Sequence, residues 1–170
     1  MRRCLFALLL LCSQPLWAAE ARELTWSALI PPDAPPVVMQ QAPIHDLSQL
    51  ADALSAENGP PAVQQSPAAP VVKTLDGQQV KLPGYIVPLD VTEEGRVVEF
   101  LLVPYFGACI HVPPPPSNQI VHVTSELGVQ MDALYQPFWI EGPLQVGQVS
   151  SELAEAGYQM AAEKIYPYEM

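Results

Sequence analysis

Apolar positions in this chain fall into short runs broken by prolines, glycines and polar pairs, and from Val71 onward the runs have strand length. Val71 to Leu75 and Gln79 to Leu82 flank Asp76-Gly77, a dipeptide that favours a two-residue turn, so a hairpin is predicted there. Gly84 to Leu89 predicts a further strand, in which Pro88 lacks a donor and therefore marks an edge or a bulge. Thr92 to Gly95 is a polar turn, and Arg96 to Pro104 is apolar for long enough to be a buried strand. Two short strands are then expected on either side of Pro113 to Pro116. Ser125 to Gly128 reads as a turn, and Pro137 to Ile140 as a strand ended by Glu141-Gly142-Pro143. Ser150 to Ile165 carries mixed signals, and predicts one helical turn near Glu152 followed by a strand.

The pattern changes upstream. Arg2 and Arg3, the apolar run Leu5 to Leu11 and the small-residue exit from Trp17 to Ala21 have the order of a secretory signal. Cleavage is expected after Ala18 or Ala21. Leu11 before Cys12 is too bulky for lipid attachment, so a soluble exported protein is expected, periplasmic or otherwise outside the cytoplasm. Leu24 to Ile30 forms an apolar cluster ending at Pro31-Pro32. Asp46 is a suitable N-cap for a short helix with Leu47, Leu50, Ala51 and Leu54 on one side, closed by Asn58-Gly59. Pro60 to Pro70 has the composition of a linker. The expected organisation is thus a signal peptide over 1–21, a Pro-rich lead-in with one short helix over 22–70, and a β domain over 71–170.

Composition sharpens this picture in three ways. Twenty prolines in 170 residues argue against long helices. Signal removal would take Arg2 and Arg3 from the 7 basic residues, leaving 5 against 18 acids, or 17 if Glu20 also leaves. The mature net charge would be −13 or −12, which repels phosphate backbones and excludes nucleic acid as a natural partner. Cleavage would also remove Cys4 and Cys12, leaving Cys109 as the single thiol without an intramolecular disulfide partner.

Candidate chemistry gathers at the four prolines. If Pro113 to Asn118 is the loop of a symmetric hairpin, Cys109 faces His122 and His111 faces Ile120. Cys109, His111 and His122 then share one face, since side chains two apart on a strand point the same way. Opposed Cβ atoms lie about 4.5–5.5 Å apart and diagonal ones about 7–8 Å, close enough to converge on one ion. One thiolate and two imidazoles suit zinc, and also copper if Met131 or Met160 supplied an axial ligand. Asn118 and Gln119 are candidates for orienting a ligating imidazole or for closing the loop. The prolines, spanning roughly 9–12 Å as polyproline II, can set the spacing of the flanking strands or defeat that register. A lone cysteine also serves as a small buried hydrophobe, and a β-surface histidine as a backbone partner. A Cys–His pair is the minimum for a thiol enzyme, but no Gly-rich oxyanion loop and no Cys-x-x-Cys accompany it. Zinc-protease and phosphate-binding motifs are absent. His45 lies outside the β domain, and the aromatics Tyr85, Phe100, Tyr105, Phe106, Trp139 and Tyr158 are expected in core or rim.

Several blocks carry a resemblance. Leu82-Pro83-Gly84-Tyr85, Phe100 to Gly107, Cys109-Ile110-His111-Val112-Pro113-Pro114-Pro115 and Asn118-Gln119-Ile120-Val121 resemble a bacterial exported family catalogued as domain of unknown function 3299. Trp139 with Gly142, Ala156-Gly157-Tyr158 and Tyr166-Pro167-Tyr168 are similar in character, as is Trp26 to Pro32. The resemblance implies a mainly β fold: a small OB-like β-barrel with a short helical turn and an irregular Pro-rich N-terminal lead-in. It also implies an association with an export-type ABC transporter and a histidine-rich secreted protein, an arrangement linked to metal supply. The function expected on these grounds is a non-enzymatic, exported metal-binding accessory of an envelope ABC-type transport system, with zinc the first candidate. The alternatives are an envelope interaction module with a structural Cys/His block, and a Cys–His thiol enzyme.

Overall fold

The structure, a computed structural model, describes residues 20–35, 63–109 and 112–169. The signal segment, the helix expected from Asp46, and the pair Ile110 and His111 lie outside the described residues.

Seven strands form one sheet: β1 (Arg22–Glu23), β2 (Gln78–Val91), β3 (Arg96–Val103), β4 (Val121–Gln130), β5 (Phe138–Ser150), β6 (Glu155–Ala161) and β7 (Lys164–Pro167). β2, β3, β4, β6 and β5 pair in that order, and β5 pairs back onto β2, which closes a five-stranded OB-like barrel. β1 and β7 are short additions on β2 and β5. Inward residues alternate along each strand: Val80, Leu82 and Ile86 on β2, Phe100 and Leu102 on β3, Val121 and Val123 on β4, Tyr158 and Met160 on β6. That alternation is what lets a half-apolar sequence line a closed core.

β2 makes closure possible by serving two neighbours in turn. Gln78 to Gly84 pairs with β5, and Tyr85 to Val91 pairs with β3. The handover falls at Gly84, where a Cβ would come within 2.8 Å of the Val103 carbonyl oxygen and 2.9 Å of the Leu102 side chain. The register shifts after Pro88, as its missing donor predicted. The Leu24 amide donates to Lys81 O, so Lys81 turns its backbone to the β1 side, opposite β5. By strand alternation Tyr85 and Val87 then face β3, while Ile86 and Pro88 turn their backbones to the opposite edge. There β5 pairing has already ended, and no described backbone group bonds to them. The imide nitrogen of Pro88 therefore costs the ladder no hydrogen bond.

Four local expectations are corrected. Val71 to Leu75 is no hairpin arm: Lys73–Leu75 is a 3-10 turn with Leu75 buried. Gly77 instead donates to Leu144 O at 2.7 Å, and Asp76 Oδ1 accepts from the Val146 amide at 2.8 Å, so Asp76-Gly77 binds β5. Glu141-Gly142-Pro143 does not end a strand, because β5 runs on to Ser150. Gly142 is needed there because a Cβ would run into the Ala161 carbonyl oxygen. Ser125 to Gly128 is not a turn between strands but a bulge inside β4, where four residues stand opposite one on β3 and Ser125 Oγ accepts from the Leu127 amide. Ser151 to Ala154 forms a serine-closed turn in place of a helical one, with the Ser151 amide and Oγ both donating to Ala154 O. Among the described residues the helical turns are 3-10, including Met131–Ala133 between β4 and β5.

β4 and β6 are parallel and share only Val121–Thr124 with Tyr158–Ala161. The opening beyond that short ladder is filled by the lead-in. Leu24 and Leu29 enter the core, and Trp26 Nε1 donates to Pro83 O at 2.7 Å. The Tyr158 hydroxyl accepts from the Val72 amide at 2.7 Å and donates to Leu29 O at 2.8 Å.

Candidate binding site and the Cys/His block

The four prolines do not form the loop of a symmetric hairpin. After β3 the chain turns at Pro104 to Cys109, where, among the described residues, the ladder contact is a single bridge between Ala108 and Val112. Cys109 sits in the left-handed region at φ 66, and its amide donates to Val112 O at 3.1 Å. Pro114 to Ile120 is then buried. The register assumed for Cys109 opposite His122 is therefore wrong: His122 pairs with Leu101 on β3 and Gln159 on β6. Four consecutive prolines offer no row of donors for a ladder, so they pack as an extended segment.

That segment is what the lead-in docks against. The Gln64 side-chain amide donates to Glu155 O at 2.8 Å and to Pro115 O at 2.9 Å, and its oxygen accepts from the Glu155 amide at 2.8 Å. Ser117 donates its amide to Ser66 O, and its hydroxyl accepts from the Ala69 amide. Asn118 Nδ2 donates to Pro70 O, and Gln119 Nε2 to Trp26 O. Asn118 and Gln119 thus close the lead-in onto the barrel, and residues 63–70, expected as a linker, are pinned by side-chain amides.

Cys109 and His122 nevertheless lie on one side of the barrel. Val121 and Val123 point inward, so His122 points out. Outside the barrel, Val87, Leu101, Val103, Ala108, Ile120, Ala154 and Ala156 form a second apolar cluster, against which Cys109 and Tyr105 pack. Burial with no described charge beside it pushes the Cys109 thiol up to about 11, opposite to the shift that activates a nucleophile. Tyr105 is also raised, by burial first and then by Cys109.

His122 Nε2 and Glu99 Oε1 lie 2.8 Å apart, with the imidazole 13% exposed and the carboxylate 42%. This fixes the ring through one nitrogen and leaves Nδ1 as the one that can take a metal or donor. Among the described residues, no three of His, Cys, Asp and Glu come together as a metal group. Glu99 is the residue that sequence reasoning undervalued. It sits two residues before Leu101 on the same outward face as His122, a proximity that only the β3–β4 register reveals.

Glu99 also lines a surface groove of about 590 Å³. One wall is the outer face of β2 and β3, with Pro88, Leu89 and Glu99; the other is the turn from Ser150 to Leu153. Residues 51 to 65 positions apart in the chain build it, so no sequence motif announces it.

The model of the family described as "Protein of unknown function (DUF3299)" matches residues 26–167. The chain belongs to this family. The crystal structure of a DUF3299 family protein from Pseudomonas aeruginosa PAO1 is 65% identical, with a TM-score of 0.75, covering 89% of this chain and 98% of that one. No curated protein matches the chain. The DUF3299 match begins at Trp26, so the lead-in residues that seal the barrel are part of what defines the family.

Proposed function

We propose that this DUF3299 protein is a non-enzymatic binding module exported to the cell envelope, where it serves as an accessory to a larger, transport-type assembly. The observation that carries this reading is the division of labour around the central stretch. Its proline half is buried under the lead-in and its cysteine is packed among apolar side chains, while an open groove lies alongside. A thiol raised by burial is poorly suited to nucleophilic catalysis, which needs the thiolate. The export signal and the acidic composition support an envelope location. In-cell crosslinking of the full-length protein tests the reading: an identified envelope component should be captured by wild type and by Cys109→Ala alike. Loss of capture in Cys109→Ala with an intact fold would overturn the structural role given to the thiol.

A second reading is favoured by the His122–Glu99 pair. A carboxylate holding one imidazole nitrogen is the arrangement that orients a metal-ligating histidine. Zinc, or copper, would be held by His122 with Cys109 and His111, and would supply an open coordination position for transfer to a partner. Two of these donors lie on the same outer side of β3 and β4, and a thiolate ligand would require the metal to offset the burial that protonates Cys109. Metal analysis of the purified mature protein beside Cys109→Ala and His122→Ala decides it. Stoichiometric zinc lost in both variants supports the metal reading, and equal trace content in all three overturns it.

A further inference from the structure

From the make-up of its two walls, we infer that the groove between the β2–β3 face and the Ser150–Leu153 turn docks a basic, aliphatic-flanked segment of a partner protein. Each wall presents one leucine and one carboxylate: Leu89 with Glu99, and Leu153 with Glu152. Lysine and arginine have this same composition, an apolar stem carrying a cationic head. The stem packs on the two leucines, and the head reaches the carboxylates. The His122 contact holds Glu99 in place at the groove floor, which lowers the entropy lost on binding.

Charge points to the same occupant. The chain carries a net charge of −11, and among the described residues no cation lines the groove. The described cations are engaged elsewhere: Arg22 with Gln78, Lys81 with Glu23, Arg96 with the Leu127 and Gly128 carbonyls, and Lys164 with Glu141. Lys73 lies in the turn before β2. A basic segment therefore meets a complementary field and no internal competitor. An anionic segment would meet like charge there, and a purely apolar one would cover Glu152 without giving it a partner. Its volume suits a short stretch of chain rather than a single ion.

As a docking site, the groove supplies the partner chemistry of the binding-module reading above and rests on that reading. The test uses the full mature protein and a short, blocked Leu-Lys-Leu-Lys peptide, with Leu-Glu-Leu-Glu as its counterpart, followed by amide chemical shifts and fluorescence anisotropy. The lysine peptide should shift the amides of Leu89, Glu99 and Ser150 to Leu153, and the glutamate peptide should not. Glu152→Gln combined with Glu99→Gln should weaken binding about three- to tenfold, and added salt should weaken it further. Because Glu152 is exposed, Glu152→Gln alone keeps the test meaningful if the double variant misfolds. Equal binding of the two peptides, or shifts confined to other surfaces, overturns the assignment. An envelope partner still captured by Glu99→Gln/Glu152→Gln would sink the groove while leaving the binding-module reading intact.

Discussion

The two flanks of the β4 strand present opposite solutions to an incomplete surface. On the β6 side, where the parallel ladder is short, the chain folds its own N-terminal lead-in over the opening and fastens it with Gln64, Ser117, Asn118, Gln119 and Tyr158. On the β3 side the outer face is only partly covered by Ala108, Cys109 and Ala154, and a groove remains beside Glu99. The difference lies in polar bookkeeping. Backbone groups at the gap must be paired once buried, so amide-bearing side chains concentrate there. The groove face is a completed ladder whose outward side chains need no such closure. Elaborate hydrogen bonding thus marks the structural flank, and the simpler flank is left free to bind.

If the sealed flank is structural, damage there should unfold the protein. Leu29→Ala removes a fully buried lead-in side chain from the core and should cost about 2–5 kcal/mol in urea unfolding. A loss near zero would mean that the lead-in merely rests on the barrel. Tyr158→Phe keeps the ring but strands the Val72 amide and the Leu29 carbonyl, and a smaller loss of about 1–3 kcal/mol is expected in the same assay.

Cys109 sharpens the contrast through pH. Burial raises its folded pKa above the unfolded value, so the folded state holds the proton more tightly. Its contribution to stability is complete below the unfolded pKa and is lost as pH climbs towards about 11. Alkylation of the native protein should accordingly be slow at neutral pH and accelerate about tenfold per pH unit through the alkaline range. Rapid neutral labelling would return the thiol-enzyme reading to contention. At the far end, Glu152→Gln should leave urea stability within about 0.5 kcal/mol of wild type, since the side chain is exposed and touches nothing in the core. A larger loss would show that the groove wall is itself part of the scaffold.

What was legible in the sequence follows from the range of the interactions. Runs such as Phe100 to Val103 declare themselves because burial on both faces needs unbroken apolarity, and Thr92 to Gly95 because a tight turn needs its own chemistry. The family blocks announced the barrel. Asp76-Gly77 misled because its partners, Leu144 and Val146, come from far along the chain. Gly142 misled because a glycine demanded by a close crossing reads locally like a strand end. The register that set Cys109 opposite His122 fails, because His122 pairs with Leu101 and Gln159 and the proline run supplies no row of ladder donors. From the sequence Glu99, like Asp132, is no more than a weak guess at a fourth ligand, because its contact with His122 depends on β3–β4 pairing across 23 positions.

The overhang of β2 past the end of β5 has a bearing on how this molecule lives among its neighbours. An exposed strand margin ordinarily invites a second chain to add itself, the first step towards swapped or fibrillar assemblies. Here the margin offers the donor of Ile86, then meets Pro88 with none, and the register breaks immediately beyond. Strand addition is starved of a continuous row of bonds at the place where closure leaves the barrel most vulnerable. In a concentrated compartment this makes the protein a poor template for its own kind, and leaves recognition to side chains.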